Sequence, residues 1–309
     1  MKKIFIDGKA GTTGLRIEER LAARRDVEII SLPEALRKDS GARKEALNSA
    51  DVVFLCLPDD AAREAVSMIE NDTTTVIDTS TAHRTNPAFA YGFPELGEEF
   101  ANKIKKSNRI AVPGCHACGF IALIHPLVKA GILAPDTPLT VHSITGYSGG
   151  GKKMIAEYEA DEPSSLLGAP RQYGIAQAHK HIPEMMKISG IEKAPIFSPI
   201  VSGFYSGMEV TVPLFAESLK YGTASDVAEI YKATYNTPIV KFRGSNDESG
   251  FLSAARYSGL DSMSVELYGT DERILLVARY DNLGKGASGA AVECLNMKLG
   301  CELTKGLEI

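Results

Sequence analysis

Tryptophan is absent from this 309-residue chain, and so is any long apolar run. No uninterrupted hydrophobic stretch approaches the roughly 18 residues that a membrane-spanning helix requires, so no membrane partner is expected. Cysteine is sparse, and Cys56, Cys115, Cys118, Cys294 and Cys301 are the whole set. An odd number spread over so long a chain builds no disulfide framework and points to a reducing cytoplasm. Positive charge is not in excess either. The 34 Lys and Arg residues are outnumbered by 39 Asp and Glu, for a formal charge of −5, and form no basic block. A nucleic-acid partner is therefore not expected. The opening MKKIFIDGKAGTTG turns to Asp7 and Gly8 too early for a signal peptide and reads directly as structure.

What is present is an alternation of short apolar strands with helical patterns. Residues 3–7 (KIFID) read as a strand stopped by Gly8, after which Leu15, Ile17, Leu21 and Ala22 share one helical face. Further strands are expected over residues 27–32, 51–57, 75–78 and 109–112. Helices are expected over residues 42–48 and after Pro58, where the carboxylates of Asp59 and Asp60 are placed to cap. Such spacing implies βαβ units and a parallel sheet covered on both faces. After about residue 137 the texture changes to longer β segments over 139–145, 196–200, 208–214, 264–268 and 273–280. That predicts a second domain of mixed, largely antiparallel sheet, so the fold class is α/β, a Rossmann-type parallel-sheet domain plus an α+β domain. From Gly286 the chain returns to a helical pattern, expected to pack near the first domain.

Gly8, Gly11 and Gly14 stand between the first strand and the first helix. At that turn glycine lets a backbone N–H approach a pyrophosphate, and the helix N-terminus supplies partial positive charge. The spacing is G-x-x-G-x-x-G rather than G-x-G-x-x-G, so a turn that binds nothing is the competing reading. A cofactor lacking a 2′-phosphate usually meets Asp or Glu at the end of the second strand. Here that strand ends in Ser31-Leu32, with Arg37 and Lys38 following, which favours NADP(H) over NAD. The candidate cofactor contacts are Gly8, Gly11, Thr12, Thr13, Gly14, Ser31, Arg37, Lys38 and Pro58, joined by Gly149 and Gly150 of the loop YSGGGKK. Lys152 of the same loop is a candidate for a substrate carboxylate, or equally a surface charge.

The stretch AVPGCHACGFIALIHPL places Cys115 beyond a strand end, after a Pro-Gly turn and before a helix expected over residues 117–129. A helix N-terminus lowers a thiol pKa and favours the reactive thiolate. A buried packing cysteine and a Cys115–Cys118 redox pair are the alternatives. His179 and His181, with Glu184 following, supply imidazoles suited to acid–base work and a carboxylate to orient a ring or bind substrate. His-x-His also resembles half a zinc site, but the remaining histidines lie in dissimilar contexts, and no metal is expected.

Taken together, FIDGKAGTTGLRI, VVFLCLPDDAAREA, DTSTAHRT, YGFPEL, VPGCHACGF, YSGGGKK, AHKHIPEM and DNLGKGASGAAVECLN resemble the N-acetyl-gamma-glutamyl-phosphate reductases, short bacterial form (type 2), along essentially the whole chain. The resemblance implies NADPH-dependent reduction of N-acetyl-gamma-glutamyl phosphate to N-acetylglutamate 5-semialdehyde, with phosphate release, in arginine biosynthesis. It implies an NADP-binding domain over residues 1–115 and 285–309, closed by the C-terminal helix. A glyceraldehyde-3-phosphate-dehydrogenase-like catalytic and dimerisation domain over 116–284 would then give a homodimer or homotetramer. It places the nucleophile at Cys115 and the catalytic histidine in the His179-Lys180-His181 motif, with His179 favoured. It also places a phosphate-contacting arginine at Arg84 and a residue near the nicotinamide at Asn282. Val112 and Cys118 depart from the usual pattern, and backbone N–H groups after Gly114 are expected to hold the oxyanion. Two other functions are weighed. One is the same chemistry on aspartyl phosphate or a carrier-bound glutamyl or aminoadipyl phosphate; the other is a nucleotide or redox sensor without turnover.

Overall fold

The computed structural model describes residues 1–309, which fold into two compact units. The first comprises residues 1–94, 98–113 and 287–307. Its elements are β1 (Lys2–Asp7), α1 (Thr12–Leu21), β2 (Val27–Ile30), α2 (Ser40–Ser49), β3 (Val52–Leu55), α3 (Asp59–Met68), β4 (Thr75–Asp78), β5 (Ala90–Tyr91), α4 (Glu98–Lys106) and β6 (Arg109–Ala111). The strands form one sheet in the order β2-β1-β3-β4-β6-β5, every pair parallel. Because side chains alternate along a strand, β1 sends Ile4 and Ile6 to one face and Phe5 to the other. Ile4 and Ile6 join Ile17, Leu21, Phe54 and Ile77 in one core cluster, while Phe5 joins Leu47, Val53, Leu55 and Ala62 in the other. Both faces are thus covered, as a parallel sheet requires.

The second unit comprises residues 95–97, 114–286 and 308–309. It contains α5 (Cys115–Lys129), β7 (Thr140–Gly146), α6 (Gly151–Tyr158), β8 (Arg171–Gln172), α7 (Ile182–Ser189), β9 (Ile196–Ser202), β10 (Met208–Phe215), α8 (Ala224–Thr234), β11 (Val240–Gly244), β12 (Met263–Gly269) and β13 (Arg273–Tyr280). The strand order is β11-β12-β13-β10-β7-β9-β8; four of the six pairings are antiparallel and two parallel. The mixed, mainly antiparallel sheet expected from the sequence is therefore present. The last helix, α9 (Gly289–Leu299), lies in the first unit, where Ala290, Val292 and Leu295 enter the core with Ile4.

Several local expectations are corrected. Asp59 and Asp60 do not cap α3: the cap residue is Pro58, and no side chain caps it. Asp59 accepts from the backbone N–H and hydroxyl of Thr81 instead, and Asp60 pairs with Arg63 at 2.9 Å. The second strand stops at Ile30 because the chain turns through Pro33 into a short 3-10 turn over Glu34–Leu36. Helix α5 begins at Cys115, two residues earlier than expected, with the extended Gly114 as its cap residue. It also runs through Pro126, which cannot donate to the carbonyl four residues back. The Tyr235 hydroxyl donates to that carbonyl, Ala122 O, at 2.7 Å, and Tyr231 donates to Leu123 O at 2.6 Å. Tyr235, just past the end of α8, thus satisfies the group that proline strands.

Candidate active site

In the first unit the loop between β1 and α1 lies where the strand order turns from β2 on one side of β1 to β3 on the other. Open α/β sheets bind ligands at such a switch point. Two glycines there are sterically required. Gly8 has φ +84°, and a Cβ on it would sit 2.2 Å from the carbonyl oxygen of Cys56. A Cβ on Gly14 would meet Gly8 O and Lys9 Cα, each at 2.8 Å. Gly11 is the cap residue of α1, with no side chain over the helix N-terminus. A tight turn and an uncapped helix start fit a pyrophosphate.

Gly8, Ser31, Arg37 and Lys38 line one cleft of about 530 Å³, with Lys9, Ala10, Arg43, Leu57 and Ala61. Thr12, Thr13 and Gly14 form the first turn of α1, and Pro58 the start of α3; none of these four lines the cleft itself. Arg43 was not singled out from the sequence. Its guanidinium holds Asp7 Oδ2 from Nη2 at 2.9 Å and from Nε at 3.2 Å, and reaches Glu64 at 3.2 Å. That pairing offsets a buried carboxylate at the strand end, which would otherwise repel a phosphate. Its one sequence signal was an arginine among the alanines of α2.

Arg84, also in this unit, is buried. Its Nε donates to Val112 O at 2.9 Å and its Nη2 to Thr79 O at 2.8 Å. The guanidinium therefore fastens the strand end that leads through Pro113 and Gly114 to Cys115.

In the second unit Cys115 is the first residue of the fifteen-residue helix α5 and is partly exposed. The helix dipole there favours a thiolate. The carbonyl of Cys115 accepts from the Tyr280 hydroxyl at 2.6 Å, and that hydroxyl accepts from Gly119 N–H at 3.0 Å. Cys118 is a buried free thiol that donates to Lys285 O at 3.6 Å. Glu184 is buried in the first turn of α7, and its Oε1 accepts from Gly114 N–H at 2.8 Å. This carboxylate thus grips the turn that carries the thiol. The Gly114 N–H is committed to it.

His179 and His181 converge with their ring centroids 4.8 Å apart. His179 is half-buried, and its Nδ1 accepts from the His181 backbone N–H at 3.2 Å. Neutral His179 therefore carries its proton on Nε2. Burial, then the charge of Lys180, lowers its pKa from the ordinary histidine value. His181 is buried and is the cap residue of α7. Sequence reasoning passed over a third histidine, His116. Its ring lies 5.8 Å from both His179 and His181, edge-on to Phe197 at 5.3 Å, and bonded to Ser143 and Tyr173. Adjacency to the cysteine was the only signal for it. No set of three or more His, Cys, Asp or Glu side chains is arranged to hold a metal ion.

Asn282 is buried against the 147–150 turn. Its Nδ2 donates to Ser148 Oγ at 3.0 Å, its Oδ1 accepts from Gly207 N–H at 2.9 Å, and a Cβ on Gly149 would lie 3.4 Å from its Nδ2. Gly150 precedes α6, on which Lys152 is exposed and makes no ion pair.

Two family models match the chain. "Semialdehyde dehydrogenase, NAD binding domain" matches residues 13–105, and "Semialdehyde dehydrogenase, dimerisation domain" matches residues 115–282. Among curated proteins, the N-acetyl-gamma-glutamyl-phosphate reductase of Rhizobium meliloti (strain 1021) is 46% identical, over 96% of this chain and 98% of its own length. That of Rhizobium etli (strain CIAT 652) is 47% identical with the same coverage. Among solved structures, aspartate semialdehyde dehydrogenase II from Vibrio cholerae superposes with a TM-score of 0.72 at 17% identity, covering 97% of this chain and 99% of that one. Aspartate semialdehyde dehydrogenase with NADP from Candida albicans does so with a TM-score of 0.69 at 16% identity, covering 97% and 99%. At such identities these structures speak for the fold alone.

Proposed function

The chain belongs to the semialdehyde dehydrogenase family and, within it, to the N-acetyl-gamma-glutamyl-phosphate reductases, and we propose that it reduces N-acetyl-gamma-glutamyl phosphate to N-acetylglutamate 5-semialdehyde with NADPH. The observation that carries this reading is Cys115 at the start of α5, in the same unit as the converged histidines and with its turn held by Glu184. The chain's own residues act as follows. The Cys115 thiolate attacks the acyl carbon, the carbon–oxygen bond to phosphate breaks, and a thioester forms. Arg84, a buried cation at the strand end before Cys115, offsets the charge of the departing phosphate. NADPH, when bound, supplies the hydride that reduces the thioester. His179 gives a proton to the resulting oxygen and takes it back as the carbon–sulfur bond breaks, freeing the aldehyde and the thiolate. Such acid–base assistance is worth roughly 10²–10⁴-fold. His179 is preferred over His181 because it is the more exposed and its Nε2 faces no backbone duty, whereas His181 is buried at a helix cap.

We assign NADPH to the cleft lined by Gly8, Ser31, Arg37 and Lys38, the last two being cations that suit a 2′-phosphate. We assign the substrate carboxylate to Lys152, and the nicotinamide side of the site to Gly149, Gly150 and Asn282. We assign cofactor binding to the first unit, and catalysis, with Cys115, together with pairing as a homodimer or homotetramer, to the second. Five free cysteines suit a reducing cytoplasm.

The test is the reverse assay, with NADP, inorganic phosphate and candidate semialdehydes. N-acetylglutamate 5-semialdehyde should give the highest kcat/KM. A higher value with aspartate semialdehyde or a carrier-bound semialdehyde would reassign the substrate, and NADPH binding without any turnover would point to a sensor.

A further inference from the structure

His116 takes no part in the steps above, although it follows the nucleophile directly and is only 2% exposed. Its Nδ1 lies 2.6 Å from Ser143 Oγ, and its Nε2 lies 2.5 Å from the Tyr173 hydroxyl. A neutral imidazole offers one donor and one acceptor, so these two contacts must run in opposite senses. Ser143 decides which. It is fully buried on β7, and the imidazole is the one hydrogen-bond partner of its hydroxyl. A buried hydroxyl hydrogen without an acceptor is costly, so Ser143 donates to Nδ1. The ring proton then sits on Nε2 and is donated to the Tyr173 oxygen. The phenolic hydrogen is left pointing away from His116, with no acceptor among the protein groups around it.

Two electrostatic observations agree. Burial, then the charge of His179, pushes the His116 pKa down to about 3, so the ring stays neutral and keeps its single-proton pattern. Burial, then the charge at Cys115, raises the Tyr173 pKa, so the phenol keeps its hydrogen beside the thiolate.

We propose that His116 is a positioning residue for the acyl chemistry at Cys115: its Nε2–H holds the Tyr173 oxygen so that the phenolic hydrogen is donated to the oxygen of the acyl group carried on the sulfur. This rests on the reading of the chain as an acyl-phosphate reductase. No bond is made or broken in the relay, which only sets the direction of one hydrogen bond.

The test combines turnover with a measurement that does not depend on it. His116→Phe keeps a flat ring and removes both contacts; kcat should fall about 100-fold, the order expected for loss of an oxyanion donor, with the KM for NADPH little changed. His116→Gln, which keeps an N–H near the Nε2 position, should recover most of that loss. Ser143→Ala leaves the histidine in place but releases its tautomer, and should cost about tenfold in kcat. In a Tyr173→Phe background, His116→Phe should cost nothing further. Additive losses, or a Gln variant no better than Phe, would overturn the proposal. Nitrogen-15 spectra of the histidine-labelled chain, with His116 assigned by difference, should show Nε2 protonated and Nδ1 bare; the opposite tautomer would overturn the proposal as well. A wild-type chain that reduces no acyl phosphate would count against the functional reading alone, because the spectra still decide the tautomer.

Discussion

The backbone N–H of Gly114 donates to Oε1 of Glu184 over 2.8 Å, tying the turn that carries Cys115 to the first turn of α7. Both partners are buried, so the bond cannot be replaced by water at no cost. Glu184→Gln keeps an acceptor oxygen and should preserve most of the stability. Glu184→Ala strands the amide and should cost about 1–3 kcal/mol, read from the denaturant midpoint at constant slope.

Cys115→Ser removes the thiolate and leaves the cofactor cleft, in the other unit, untouched. Reduction of the acyl phosphate should fall by more than about a thousandfold while NADPH affinity, read by fluorescence titration, barely moves. Ordinary turnover by the serine variant would exclude a thioester route.

In the oxidative direction, semialdehyde to acyl phosphate, His179 must be neutral to accept a proton. Its pKa lies below the ordinary histidine value through burial and the neighbouring Lys180 charge, so activity should hold through neutral pH and drop only as pH falls through that lowered value. Lys180→Gln removes a cation that disfavours the imidazolium. The acidic limb of the kcat profile should then move to higher pH; a limb that moves lower, or stays with His179 but moves with His181 variants, would reassign the base.

Together with Ser31 and Glu34, Arg37 and Lys38 both line the cleft. Replacing the two with alanine should lower kcat/KM for NADPH about ten- to hundredfold, as for lost charged hydrogen bonds, while NADH use changes little. An unchanged preference would place the 2′-phosphate elsewhere.

Gly14→Ala would bring a Cβ within 2.8 Å of Gly8 O and of Lys9 Cα, both backbone atoms that cannot swing aside. A destabilisation of about 1–3 kcal/mol is expected, together with weaker NADPH binding, measured by thermal melts with and without cofactor.

Local pattern determined much of this protein. The strand–helix alternation through β4, the later change to a mixed sheet, and the glycine turn after β1 were legible because each depends on side-chain period, turn chemistry and neighbours close in the chain. Capping was less legible: Asp59 looked like a cap, but Thr81 took its carboxylate from outside the helix. The convergence of groups on the His116 ring was decided by tertiary structure alone. His116 appeared merely as a residue beside the cysteine, yet packing α5 against the sheet and α7 brings it to Ser143, Tyr173, His179 and His181. Glu184 stood beside the histidines in sequence, yet the folded chain gives its oxygen to Gly114. The reason is physical: hydrogen bonds and burial act on whichever groups packing brings together, and no local periodicity encodes the distance between residues remote in the chain.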